Sequence, residues 1–171
     1  MQGGKIIIPK RIRPYLKTIE EKMDYDCLNV KGDLVCDCGS SEFEIKVEGE
    51  IKESLLFRGM QVECTENGEL VVEAKCKKCE KKITILDNQC DGYVNCGNER
   101  EEPIEMKVLN CNKCSNSNFS IIVDYQYPCE ENLQYIDEKD KDNAFSWIGI
   151  SLKCNCCGKK HKNIIDCECD M

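Results

Sequence analysis

Two stretches of the chain alternate apolar and polar positions in the same way. Phe43 to Val47 (FEIKV) and Phe119 to Val123 (FSIIV) each set an apolar residue at every second position, as a half-buried strand does. Further on, Leu70 to Cys76 (LVVEAKC) and Ile148 to Cys154 (IGISLKC) read as strands running into a cysteine pair. Between the strands of the first half, Glu48 to Met60 and Glu66 to Gly68 read as hairpin connections, with Asn67-Gly68 a strong turn signal. The apolar spacing changes near the start of the chain. Tyr15, Leu16, Ile19 and Met23 recur at helical intervals from Pro14 to about Asp24, and Pro14 suits a first helical turn. That segment is expected to be a short amphipathic helix, and Ile6 to Ile8 ahead of it a short strand stopped by Pro9.

The strand-like stretches belong to an internal repeat. Cys38 and Cys114, with the strands that follow them, align at an offset of 76; Cys76 and Cys154, and Cys79 and Cys157, align at 78. Asp87 to Asp91 lies against Asp166 to Asp170 at 79. So many matches in order, with only small insertions, make a duplication the economical account. The organisation expected is an arm and helix over 1–26, one cysteine-bearing unit over 27–91, a linker over 92–104 and a second unit over 105–171.

Each half offers two close cysteine pairs. Cys36 and Cys38 are followed after 37 residues by Cys76 and Cys79, and Cys111 and Cys114 after 39 by Cys154 and Cys157. Four thiolates arriving as two chelating pairs suit a tetrahedral metal site. This arrangement of knuckle, antiparallel strands, second knuckle and further strand resembles the zinc-ribbon (rubredoxin-like) class, over about 34–87 and 109–166. The resemblance implies Cys36, Cys38, Cys76 and Cys79 as one ligand set and Cys111, Cys114, Cys154 and Cys157 as the other. It implies a small, mostly β, metal-stabilised fold with two Zn²⁺. The first pair departs from the class by being C-x-C, and the glycine that follows a knuckle is present at Gly39 and Gly158 but replaced by Glu80 and Ser115.

Sixteen cysteines among 171 residues force a choice between disulfides and metal. The N-terminal stretch has only a three-residue apolar run, which reads as no signal peptide, and no run approaches the ~18 apolar residues of a membrane span. An intracellular, cytoplasmic, metal-bound protein is therefore expected. Eight cysteines fall outside the two sets: Cys27, Cys64, Cys90, Cys96, Cys129, Cys156, Cys167 and Cys169. They read as free thiols, with a third site drawing on Cys90, Cys96, Cys167 and Cys169 as the rival. His161, in a lysine-rich stretch, reads as exposed. As the only histidine it excludes a three-histidine catalytic zinc, and neither a phosphate-binding glycine loop nor a serine nucleophile elbow is present. The expectation is no enzyme.

Charge narrows the partner. The net charge of −8 divides into +4 over residues 1–23 and −12 over the remainder, and two filled Cys₄ sites add four more negative charges. Such a body repels phosphate backbones. A protein–protein interaction module, an adaptor, inhibitor or immunity-type factor that binds a basic partner, is the leading reading. The rivals are a nucleic-acid-binding regulator and an iron-binding electron carrier. The basic arm, with Lys10, Arg11, Arg13 and Lys17, is the candidate contact for a partner or a nucleic acid.

Overall fold

The structure, a computed structural model, describes residues 7–54, 59–100 and 105–169. The fold is mostly β. In chain order the strands are β1 (Leu16–Asp24), β2 (Cys27–Leu34), β3 (Phe43–Glu48), β4 (Glu50–Ser54), β5 (Gly59–Glu63), β6 (Val71–Cys76) and β7 (Lys82–Asp87). They continue as β8 (Lys107–Val108), β9 (Phe119–Tyr127), β10 (Trp147–Cys154) and β11 (Lys160–Glu168), with two one-turn helices, α1 (Gly92–Asn95) and α2 (Glu130–Leu133). Nine strands form one antiparallel sheet, and β4 and β5 form a separate hairpin.

The repeat is visible as two copies of one three-stranded unit. In the first, β6 lies between β3 and β7; in the second, β10 lies between β9 and β11. Registers agree in detail: Phe43 faces Cys76 as Phe119 faces Cys154, and Lys75 faces Lys82 as Lys153 faces Lys160. The copies meet where Phe43 pairs with Phe119, each opposite its own equivalent, so a local two-fold axis passes between them. The alternation read from the sequence is realised in both, with Phe43, Ile45 and Val47, and Phe119, Ile121 and Val123, all buried. One apolar core runs beneath both units, so the copies share a sheet edge and a core.

The chain ahead of the repeat departs from the helical expectation. Only Arg13–Tyr15 makes a helical turn, of the 3₁₀ type; Leu16–Asp24 is a strand that pairs with β2, which itself pairs with β9. The register shifts between Lys17 and Glu20, which marks a bulge. In a regular strand Leu16 and Ile19, three apart, would face opposite sides. The bulge brings both to the core, and it is the source of the spacing that imitates a helix. Ile7 and Ile8 lie outside any strand, Ile8 being buried; Ile6 falls outside the described residues.

The polar segment 129–143 carries local structure of its own. It holds α2 and a 3₁₀ turn at Lys141–Asn143, and it buries Leu133 and Asp142. Of the linker, 92–100 contains α1, and Arg100 pairs with Asp87 at 2.7 Å; 101–104 fall outside the described residues.

Candidate metal centres

Each cysteine pair sits where a strand turns, and the turns are built alike. In the first unit Gly39 N–H donates to the Cys36 carbonyl at 2.8 Å and Glu80 N–H to the Cys76 carbonyl at 3.0 Å. In the second, Ser115 N–H donates to Cys111 at 2.8 Å and Gly158 N–H to Cys154 at 2.9 Å. The four residues that close these turns share a left-handed backbone, with φ of 87°, 65°, 63° and 76° in chain order. Glu80 and Ser115 thus adopt the conformation for which glycine is suited, and the turn survives their side chains.

These turns bring the sulfurs together. Cys36, Cys38, Cys76 and Cys79 place all four Sγ atoms within 4.8 Å of one another, and so do Cys111, Cys114, Cys154 and Cys157. Close approaches are 3.4 Å for Cys36–Cys79, 3.6 Å for Cys38–Cys76, 3.7 Å for Cys111–Cys157 and 3.5 Å for Cys114–Cys154. A tetrahedron with metal–sulfur bonds of about 2.3 Å has edges of about 3.8 Å, so both sets fit a four-coordinate ion. None of the sixteen cysteines is in a disulfide.

The surroundings favour thiolate at the strand-end cysteines. Burial raises the Cys76 thiol, but the N–H groups of Cys79 and Lys78 and the neighbouring thiols donate to its sulfur and bring it down to about 6. Cys154 is treated in the same way by Cys157 and Cys156 and falls to about 7. Burial pushes Cys36 up to about 12. A bound cation is what would let such a thiol ionise beside three others.

His161 differs from its sequence reading. It is buried at 4% exposure, with Nε2 3.4 Å from the Cys111 sulfur and its ring edge-on to Phe119. Burial, with Lys159 close by, holds the imidazole below its ordinary pKa, so the ring is neutral at pH 7. Its signal in the sequence was the alternation Lys160-His161-Lys162, which sends the middle residue inward. The first centre is braced from outside instead: Lys81 pairs with Asp37, between Cys36 and Cys38, and its Nζ lies 5.1 Å from the centre of the Tyr15 ring.

The remaining cysteines do not assemble a further centre among the described residues. Cys167 and Cys169 approach to 3.8 Å, whereas Cys90 lies beside Arg11 and Cys96 donates to the Tyr93 carbonyl at 3.6 Å. Cys64 and Cys156 are exposed, as is Cys79.

The basic residues of the arm are exposed but bonded to the chain's own groups. Lys10 Nζ donates to the Lys139 carbonyl, and the Lys10 amide to Asn143 Oδ1 at 3.0 Å. Arg11 pairs with Asp91 and donates to the Thr84 carbonyl at 2.9 Å. Arg13 pairs with Asp142 at 2.7 Å and donates to the Ile8 carbonyl at 2.9 Å. Lys17 is exposed on β1, opposite Asp33.

No protein-family model matches the chain, no curated protein matches it, and no solved structure matches it. Among the described residues no helix is long and apolar enough to cross a membrane.

Proposed function

We propose that the protein is a non-enzymatic interaction module whose fold is braced by two structural Zn²⁺ ions in a duplicated zinc ribbon. The observation that carries this reading is the closure of both sulfur sets. Each is four cysteines at tetrahedral spacing, held by strand ends and paired turns. A Cys₄ site leaves no coordination position for substrate or activated water, so its work is to hold strands together. Four thiolates with N–H···S support suit zinc, and the proposed setting is the cytoplasm, where thiols stay reduced.

The partner in this reading is a protein carrying positive charge. The arm that would have met a nucleic acid spends Lys10, Arg11 and Arg13 on the chain's own carbonyls and carboxylates, and the rest of the chain carries a net negative charge. This intramolecular use of the basic residues favours a protein partner over nucleic acid.

Elemental analysis of protein purified without added metal tests the first part. Two zinc atoms per chain support it, while stoichiometric iron would move the reading to electron transfer, and an absence of metal would overturn it.

A further inference from the structure

Among the described residues three arginines pair with buried or half-buried acids: Arg11 with Asp91, Arg13 with Asp142 and Arg100 with Asp87. At the end of the sheet where β1 turns into β2 the balance is different. A hollow of about 850 Å³ opens there, walled by Met23, Tyr25, Asp26, Tyr93, Glu130 and Glu131 among others. No lysine, arginine or histidine lines it, and its three carboxylates form no ion pair among the described residues. Nor do the three converge closely enough to share one metal ion.

The same end gathers exposed apolar surface. Among the described residues five large apolar side chains are exposed, and four belong to this rim or its elements: Met23 and Tyr25 at the turn, Val94 on α1 and Tyr135 just beyond α2. Tyr25 is 96% exposed. It and Asp26 form the two-residue turn between Asp24 and Cys27, with φ of 47° and 64°, a geometry that Asn-Gly adopts with less strain. The turn therefore carries an aromatic ring that contributes no packing to the fold, in a backbone that disfavours it. Tyr93 is fixed by donating its hydroxyl to the Asn132 carbonyl at 3.1 Å, which ties α1 to α2 across the hollow.

We infer that this hollow is the partner-binding surface and that its occupant is an arginine-bearing basic segment of a protein. The inference rests on the interaction-module reading and names the surface and the partner chemistry for it. A guanidinium is planar: it stacks on tyrosine faces while its edge N–H groups bind carboxylates in pairs, and the hollow offers both kinds of group together. Lysine, a compact and strongly hydrated charge, gains less from the rings. Phosphate is repelled by Asp26, Glu130 and Glu131, which excludes a nucleic-acid backbone as the occupant.

The test is an amide NMR titration of the zinc-loaded full chain with an arginine-rich peptide, and separately with a lysine-rich peptide of equal charge. The arginine peptide is expected to shift residues 23–27, 93 and 126–132 and to bind several-fold more tightly than the lysine peptide. Tyr25→Ala, at an exposed turn and harmless to the core, is expected to weaken binding about tenfold, as is the double variant Glu130→Gln/Glu131→Gln. Shifts on another acidic face would overturn the hollow as the site but leave the interaction-module reading standing. Equal affinity for both peptides, unmoved by Tyr25→Ala, would overturn the arginine-stacking site. No shifts with either peptide would overturn both the hollow and the basic partner.

Discussion

His161 occupies in the second unit the place that Ile83 occupies in the first. Leu152 faces His161 across β10 and β11 as Ala74 faces Ile83 across β6 and β7, and both residues are buried, at 4% and 3%. The duplication thus left the two centres with different neighbours: a hydrocarbon beside one and an imidazole against the Cys111 sulfur of the other. A neutral ring protonated on Nε2 donates to that thiolate and spreads its charge. Partners of this kind typically change metal affinity by about 10–100-fold when removed. His161→Ile is expected to keep the fold, because the equivalent position already holds isoleucine, and to weaken the second centre by about tenfold while sparing the first. Competition with a chromophoric chelator, and the sulfur-to-metal charge-transfer bands of the Co²⁺ form, would read this out; a second-centre affinity unchanged from wild type in His161→Ile would contradict it.

If the two cysteine sets hold metal as proposed, removing it should unfold more than the cysteine turns. The two units share a sheet edge at Phe43–Phe119 and a single core, so strands freed at one centre lose packing in the other. Structural zinc in small domains contributes on the order of 10–16 kcal/mol, comparable to or larger than the whole stability of a domain this size. A strong chelator is expected to abolish the near-ultraviolet dichroism and red-shift the emission of Trp147, the only tryptophan, in one transition. Two separate transitions would show that the units fold independently.

The left-handed turn residues give a separable test of backbone against ligand. A Cβ added at Gly39 or Gly158 would meet nothing within 4 Å, so replacement by alanine meets only the cost of its positive φ. That cost, less the gain from a stiffer unfolded chain, is about 1 kcal/mol. Gly39→Ala should weaken the first centre, and Gly158→Ala the second, by about fivefold in metal titrations. Gly68→Ala, equally open and at φ 75° in the Thr65–Gly68 turn away from both centres, should lower the melting temperature without moving either affinity.

The sequence made the two cysteine clusters and the inner strands legible for a local reason. A cysteine pair at short spacing specifies its own chelating turn, and the alternations at Phe43–Val47 and Phe119–Val123 specify which face is buried. The strand at Leu16–Asp24 was not legible, because a bulge between Lys17 and Glu20 replaces the two-residue period with a three-residue one. The lysine-rich composition around His161 reads as exposed, although the alternation of those lysines about it, and its alignment with Ile83, carried the signal. The intramolecular pairing of Arg11 and Arg13 spans 80 and 129 residues, a separation at which local pattern holds no information.

Asp87 and Arg100 should make stability depend on pH in an unusual direction once the arginine is removed. Burial raises the Asp87 carboxyl, but the Arg100 guanidinium, donating two bonds of 2.7 Å, outweighs it and holds the carboxyl below its ordinary value. A depressed folded-state pKa gives stability that is full above the unfolded value and is lost as pH falls through the folded one. Arg100→Met removes the strongest of the groups that oppose burial, leaving the Gln89 amide and the Cys90 thiol. The variant should be destabilised by about 3 kcal/mol at neutral pH, and the gap to wild type should narrow as the solution is acidified toward the carboxylate range. Urea unfolding at fixed excess zinc across that pH interval measures the gap; a constant gap would mean that Asp87 is not the titrating group.

Tyr125 and Tyr127 stand two residues apart on β9, both fully buried, with ring centres 6.5 Å apart, yet their hydroxyls are treated differently. Tyr127 donates to the Asp142 carbonyl at 2.6 Å, whereas the Tyr125 hydroxyl has no partner among the described residues. Removing a bonded hydroxyl costs about 1 kcal/mol, and removing a buried unbonded one relieves a desolvation penalty of similar size. Tyr127→Phe is therefore expected to lower stability by about 1 kcal/mol and Tyr125→Phe to raise it by about as much, with the metal content of both unchanged. The two substitutions delete the same atom from the same strand and core, so a difference in sign isolates the hydrogen bond from the packing. Loss of stability in both variants would mean that the Tyr125 hydroxyl is bonded in solution, with a buried water as its partner.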